Sequence, residues 1–301
     1  MSIIAVRGTN LLQRIVTAAL LAPLVVWGIL VLSTRYFSLV LGAVVLVGAW
    51  EWAGLVGWNR WASRAAYSLG TAVLLYAASQ WYAFPTHGWL FLSTAALVWW
   101  CVALDWIVRF EQGIAIEPLA SPVARTLIGW TVLLPFWGAL VAVHQYADSG
   151  ANNGINSGPV LVILLMILIW GADSGAYFVG RRFGKRRLSP RTSPGKSWEG
   201  VAGGLLVAVL VSVIAVFFAE LPLEQGIILV ALSFGTVMLS ILGDITESLF
   251  KRRIGIKDSG QILPGHGGML DRIDSLTAAA PFFALVVYAT DLKNYFGATL
   301  P

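Results

Sequence analysis

The 301-residue chain has one cysteine, three histidines and charged side chains at only 12% of its positions, against 58% hydrophobic residues. A lone Cys101 inside an apolar run can form neither an intrachain disulfide nor a cysteine-rich metal site. So few charges cannot clothe a soluble core. The mean hydropathy of +0.79 and apolar runs of spanning length point instead to an all-α polytopic integral membrane protein, because only internally hydrogen-bonded backbone is tolerated in lipid. No cleavable signal is expected, since the first apolar run has spanning length and lacks a small-residue cleavage site. No internal repeat and no inverted pair of broken helices of the transporter kind stands out. The net charge of +5 comes without a soluble DNA-binding motif or an aromatic single-strand platform, so nucleic acid is not an expected partner.

What is present is a succession of about nine apolar stretches, at 12–33, 37–56, 66–83, 88–108, 124–144, 159–180, 201–219, 226–247 and 275–291. Lys and Arg are retained on the cytoplasmic side during insertion. An N-terminus inside collects 18 of the 20 basic residues on that face and leaves Arg35 and Lys293 outside. Residues 1–158 then form a transmembrane scaffold of about five helices, and 159–301 a catalytic region of about four helices with cytoplasmic loops 181–200 and 248–274. Two features of the scaffold carry charge. Asp105 and Arg109, four apart, suit a local ion pair at a helix end. Glu51, within Trp50-Glu51-Trp52, is either a snorkelling or helix-pairing residue or a group facing the polar site.

Three polar clusters fall on the cytoplasmic side of the last four stretches. The first is Trp170 to Tyr177, around Asp173, whose carboxylate in an apolar helix must pair or face a polar cavity. The second ends in Ser193-Pro194-Gly195-Lys196-Ser197-Trp198-Glu199-Gly200. It is not a phosphate-cradling P-loop, because Pro190 stands where the first glycine is needed. Nor is it a serine-hydrolase S-x-x-K site, because the S-D-N and K-T-G companions are missing. A glycine-containing turn with hydroxyls and a cation, leading into a helix, can hold phosphate. The third cluster runs from Gly243 to Asp274 and is the densest: residues 248–274 hold nine Lys, Arg, Asp or His and five glycines. Asp244 and Glu247 are three apart, as are Asp271 and Asp274, so each pair shares a helical face. Such oxygen donors suit Mg²⁺, which takes one or two carboxylates plus substrate phosphates. Helix capping is the simpler use of Asp271 and Asp274. Lys251, Arg252, Arg253 and Lys257 supply phosphate-binding charge, and Pro264-Gly265-His266-Gly267-Gly268 a backbone that a ligand can approach closely. His266 is open to three roles: base, metal ligand or phosphate donor.

The third cluster resembles the signature of the phosphatidate cytidylyltransferases, S-x-φ-K-R, then K-D, then P-x-H-G-G-φ-x-D-R-φ-D with φ apolar. It is carried by Ser248, Lys251, Arg252, Lys257, Asp258, Pro264, His266, Gly267, Gly268, Asp271, Arg272 and Asp274. The segment from Ser193 to Gly200 and the triplet Asp173-Ser174-Gly175 are similar to the family too, so the motif likeness spans about 165–291. The resemblance implies an Mg²⁺-dependent membrane enzyme that converts CTP and phosphatidic acid to CDP-diacylglycerol and pyrophosphate. Its expected place is a bacterial inner (plasma) membrane with the site facing the cytoplasm, and a homodimer is implied by the resemblance alone. Asp244 and Asp271 are then expected to hold one or two cations, with Asp173 and Asp274 as further metal candidates. Lys257, Arg272 and His266 join the two aspartates as catalytic candidates. Ser193, Lys196, Ser197, Glu199, Lys251, Arg252, Gly267 and Gly268 are the expected substrate contacts. The competing readings are an ion-coupled transporter, which would place its carboxylates near the bilayer midplane, and a CTP-dependent lipid kinase. A CDP-alcohol phosphotransferase is excluded, because its D-x-x-D-G-x-x-A-R pattern breaks at Ser275.

Overall fold

The computed structural model describes residues 19–82, 88–146, 157–262, 267–290, 292, 295 and 296. The chain is a bundle of helices: α1 (Ala19–Val31), α2 (Thr34–Val56), α3 (Trp61–Tyr82), α4 (Gly88–Glu111), the one-turn α5 (Glu117–Ala120), α6 (Pro122–Gln145) and α7 (Ser157–Phe183). After a hairpin of β1 (Arg187–Ser189) and β2 (Ser193–Ser197) come α8 (Trp198–Phe218), α9 (Leu223–Arg253) and α10 (Leu270–Ala289). Among the described residues seven helices, α2, α4 and α6 to α10, are long and apolar enough to cross a membrane. Of the nine stretches expected, the first, 12–33, is described only from Ala19 onward as α1, its earlier part lying outside the described residues, and α3 is diluted by Ser63, Arg64, Ser68, Ser79 and Gln80.

The centre of the bundle is α6, flanked by α10, α2 and α4. Its start is fixed by Ser121, whose Oγ accepts the Ala124 amide at 3.3 Å, with Pro122 pre-set for the first turn. Indole and phenol groups tie its two ends. Trp52 Nε1 donates to Arg125 O at 2.8 Å and Tyr67 Oη to Thr126 O at 3.1 Å at one end. Trp137 Nε1 donates to Ser38 O at 2.9 Å, and Tyr288 Oη to Ala142 O at 2.7 Å, toward the other. Trp52, Trp99, Trp100 and Trp137 are packed inside the bundle. α7 and α8 approach closely because glycine faces glycine. A Cβ on Gly175 would lie 2.8 Å from Gly203 O, and one on Gly204 2.9 Å from Ala172 O. Small residues are what let helix backbones meet in lipid, where apolar surface gives no selective pull.

Two boundaries differ from those read in the sequence. Apolarity stops near residue 247, but α9 continues to Arg253, because charge ends a hydropathy run without ending a helix. Ser248, Lys251 and Arg252 therefore ride on helix rather than loop. The stretch after α7 also forms a short antiparallel hairpin, pairing Arg187 with Ser197 and Ser189 with Ser193, where a loop had been expected.

Candidate functional site

Every polar cluster singled out above lies at one end of the bundle, where α2, α4, α7 and α9 finish and α3, α6, α8 and α10 begin. On α9, Asp244, Glu247, Ser248 and Lys251 recur at intervals of three and four and so share one face. Lys251 is buried, and its Nζ lies 2.6 Å from Asp271 Oδ1 on α10 and 3.5 Å from Glu247 Oε2. The Asp271 side chain is itself only 8% exposed. Its other oxygen accepts the backbone amides of Gly268 at 2.8 Å and Ser259 at 3.0 Å. The N-cap position of α10 is Met269, so Asp271, in the first turn, does not cap the helix but ties down the turn before it and at the same time holds a buried cation. Gly267, at φ +81°, completes the turn.

A second ion pair stands beside this one. Lys196 Nζ, reaching over from β2, lies 2.7 Å from Asp244 Oδ2, and both side chains are partly exposed. Asp173 of α7 is exposed at the same end and has Lys196, Asp244 and Arg272 as electrostatic neighbours. Asp274 lies one turn after Asp271, within electrostatic reach of Asp244, Glu247 and Lys251. Arg252 Nε donates to Thr192 O at 3.2 Å and its Nη1 to Ile256 O at 3.2 Å, so this arginine also braces the hairpin. Lys257 and Arg272 are exposed. His266, with Leu263, Pro264 and Gly265, lies outside the described residues.

The hairpin segment is positioned more than it is free. Ser197 is the N-cap of α8, its Oγ accepting the Gly200 amide at 3.1 Å. Glu199 accepts the amides of Lys185 at 3.1 Å and Arg186 at 3.2 Å, and the Arg186 guanidinium at 3.3 Å. Ser193 is partly exposed at the start of β2, and a Cβ on Gly195 would meet nothing within 4 Å. Lys196 therefore projects from an open stretch of β2.

Two residues that no motif marked hold this end together. Glu111, the last residue of α4, accepts Ser189 Oγ at 2.6 Å, Thr192 Oγ1 at 2.7 Å and the amides of Arg191 and Thr192, both at 2.9 Å. Glu51 of α2 is 2% exposed. It accepts the amides of Met269 at 3.0 Å and Leu270 at 2.8 Å, and the Ser259 hydroxyl at 3.0 Å. Of the two readings open for Glu51, facing the polar site is the one observed. The expected pair between Asp105 and Arg109 is also present, at 2.7 Å.

Chemically, the site is a set of carboxylates interleaved with ammonium and guanidinium groups beside glycine turns. That combination suits polyanionic phosphates and the cations that accompany them. Among the described residues no three His, Cys, Asp or Glu side chains form a metal cage. A hard cation held here by protein would draw on one or two carboxylates and on its other ligand's phosphates, the manner in which Mg²⁺ is ordinarily bound.

Comparison with known proteins agrees with this chemistry. The model of the cytidylyltransferase family matches residues 12–290. A phosphatidate cytidylyltransferase of Pseudomonas aeruginosa is 44% identical over 277 residues, covering 92% of this chain and 97% of its own length. One from Haemophilus influenzae is 38% identical over 284 residues, covering 90% and 96%. One from Bacillus subtilis is 44% identical over 134 residues, or 44% and 49% of the two chains. The motifs alone reached from about residue 165, whereas the family match takes in the N-terminal helices as well. An integral membrane bundle with its acid and base clusters at one end, matched to one family over nearly its whole length, this chain belongs to the cytidylyltransferase family.

Proposed function

We propose that the chain transfers the cytidylyl group of CTP to phosphatidic acid, releasing pyrophosphate and leaving CDP-diacylglycerol in the membrane, at the cytoplasmic face of a bacterial inner membrane. The observation that carries this reading is the meeting of two Lys–Asp pairs, Lys196 with Asp244 and Lys251 with Asp271, at one end of the bundle. The names of the relatives support the choice of substrates. Arg35 is the one described Lys or Arg at the opposite end, a skew that supports a cytoplasmic reading of the site end. There CTP arrives from water while the acyl chains of phosphatidate stay in the leaflet.

In the reaction an oxygen of the lipid phosphate forms a bond to the α-phosphorus of CTP. The bond from that phosphorus to the bridging oxygen breaks, and its electron pair leaves on pyrophosphate. The nucleophile is already an anion at neutral pH, so alignment and charge neutralisation are the main needs. Lys196, Lys251, Arg252, Lys257 and Arg272 are placed to neutralise triphosphate, leaving pyrophosphate and lipid phosphate. Ser193 presents a hydroxyl and Gly267 a partly exposed backbone, whereas the expected contacts Ser197 and Gly268 are buried, the one capping α8 and the other donating its amide to Asp271. Asp244 and Asp271, with Asp173 and Asp274 nearby, are the residues that would hold Mg²⁺, whose chemistry is to draw charge from phosphate oxygens. Release of Asp244 and Asp271 from their lysines would supply those carboxylates and, in the same exchange, two ammonium groups for phosphate.

The test is purified protein with phosphatidic acid, Mg²⁺ and CTP labelled at the α-phosphate. Label is expected in a CDP-lipid. Folded protein that yields none, or that transfers only the γ-phosphate as a lipid kinase would, overturns the reading. Asp271→Asn, which keeps an acceptor for the Gly268 amide but leaves Lys251 without that charge partner, is expected to lower turnover by about a hundredfold or more in protein that is still folded but melts at a lower temperature.

A further inference from the structure

We infer that Glu51 is a positioning residue for the reaction, acting through Asp271 although it belongs to the N-terminal part of the chain. The inference rests on cytidylyl transfer being the reaction. Its three donors are placed to fix the segment on either side of Asp271. Met269 and Leu270, whose amides it accepts, are the two residues immediately before Asp271. Ser259 gives its hydroxyl to Glu51 and its backbone amide to Asp271, so one residue is gripped by both carboxylates. Moving Glu51 therefore moves both the helix start that bears Asp271 and one of the donors that orient it.

The surroundings are shaped for this carboxylate. A Cβ on Gly268 would lie 2.6 Å from Gly260 N and collide with the Ser259 hydroxyl and the Glu51 carboxylate, and a Cβ on Gly260 would come within 2.7 Å of Glu51 Cδ. Two glycines thus leave the volume that the acid fills. Its negative charge also sits against the first, unpaired amides of α10, where the helix dipole favours an anion. Lys251, the one buried Lys or Arg among the described residues, is engaged instead by Asp271 and Glu247. Glu51 accordingly answers to backbone and hydroxyl donors, and its role is geometric.

Glu51→Gln keeps the size but turns an amide NH₂ toward a site made entirely of donors. Cytidylyl transfer and hydrogen exchange are to be measured on the purified full chain, wild type and variant. Turnover is expected to fall by about tenfold or more, since displacements near 1 Å at a reacting group cost on that order or greater. Exchange is expected to quicken by about tenfold in peptides covering Ser259, Met269 and Leu270, and to stay unchanged elsewhere in α9 and α10. Unchanged turnover, or faster exchange spread through both helices as a merely structural residue would give, overturns the inference. Should Glu51→Gln fail to fold, Ser259→Ala, which deletes one donor, is decisive under the same two criteria, with a fall of a few-fold expected. A wild type that makes no CDP-lipid overturns the reaction assignment; an active wild type with an indifferent Glu51 overturns only its positioning role.

Discussion

Lys196 and Lys251 each salt-bridge an aspartate at 2.6–2.7 Å, yet burial makes them unequal. Lys251 is 10% exposed with partners at 5% and 8%, whereas Lys196 and Asp244 are 24% and 32% exposed. Removing one member of a buried ion pair leaves an uncompensated charge and costs about 3–5 kcal/mol, while a solvated pair contributes about 1 kcal/mol or less. Lys251→Met is therefore expected to lower both turnover and thermal stability, and Lys196→Met to lower turnover at nearly unchanged melting temperature. Paired activity and unfolding measurements in one detergent check this, and equal melting shifts would contradict it. At this scale the sequence was partly legible. The i, i+3 spacing of the acids placed them on shared helical faces, and the glycine turn marked where backbone is approached. Glu51 and Glu111 were not legible as anchors. Their partners are mostly main-chain amides, 219 and 81 residues away for Leu270 and Thr192, and an amide leaves no letter in a sequence.

At the scale of elements, the hairpin of β1 and β2 is too short to stand alone, since isolated two-stranded hairpins are marginal in water. It is held from two sides. Glu111 binds its turn, and Lys196 and Arg252 link it to α9. Glu111→Ala unties the turn from α4 and leaves the Ser189 and Thr192 hydroxyls, both in buried residues, without their acceptor. Limited proteolysis is expected to cut after Arg187 or Arg191 at least about tenfold faster than in wild type, with turnover reduced because Lys196 is no longer placed. Unchanged cleavage would show that α9 alone suffices to hold the hairpin. Hydropathy missed this element for a plain reason: six of the eleven residues from 187 to 197 are Arg, Lys, Pro or Gly at positions that suppress any strand pattern. The α7–α8 contact was equally hidden, because glycines in an apolar run read as filler until two runs are set side by side.

At the scale of the molecule, the alternation of helix ends sets the topology, and it can be read chemically. Cys101, on α4, is the chain's one cysteine, so Cys101→Ala gives a clean background. Gly195→Cys lies at an exposed position of β2 at the site end, and Leu223→Cys, at a position 82% exposed, lies at the start of α9 on the opposite end. In intact cells a membrane-impermeant maleimide is expected to label Leu223→Cys and to leave Gly195→Cys untouched until the membrane is opened. The reverse pattern would overturn the cytoplasmic placement of the site. The bundle itself was legible as apolar runs separated by basic connections, but the way the runs pack was not, because lipid-facing and protein-facing residues are drawn from the same apolar alphabet.

Glu51 and Glu111 both come from helices that precede the recognisable motifs, and each grips one of the two polar segments that build the site. A gene fragment encoding 159–301 would carry every residue that speaks of nucleotide chemistry and neither of the acids that clamp those residues in register. The site is therefore a property of the whole chain: grafting its motifs onto another set of helices would transplant the vocabulary and lose the grammar.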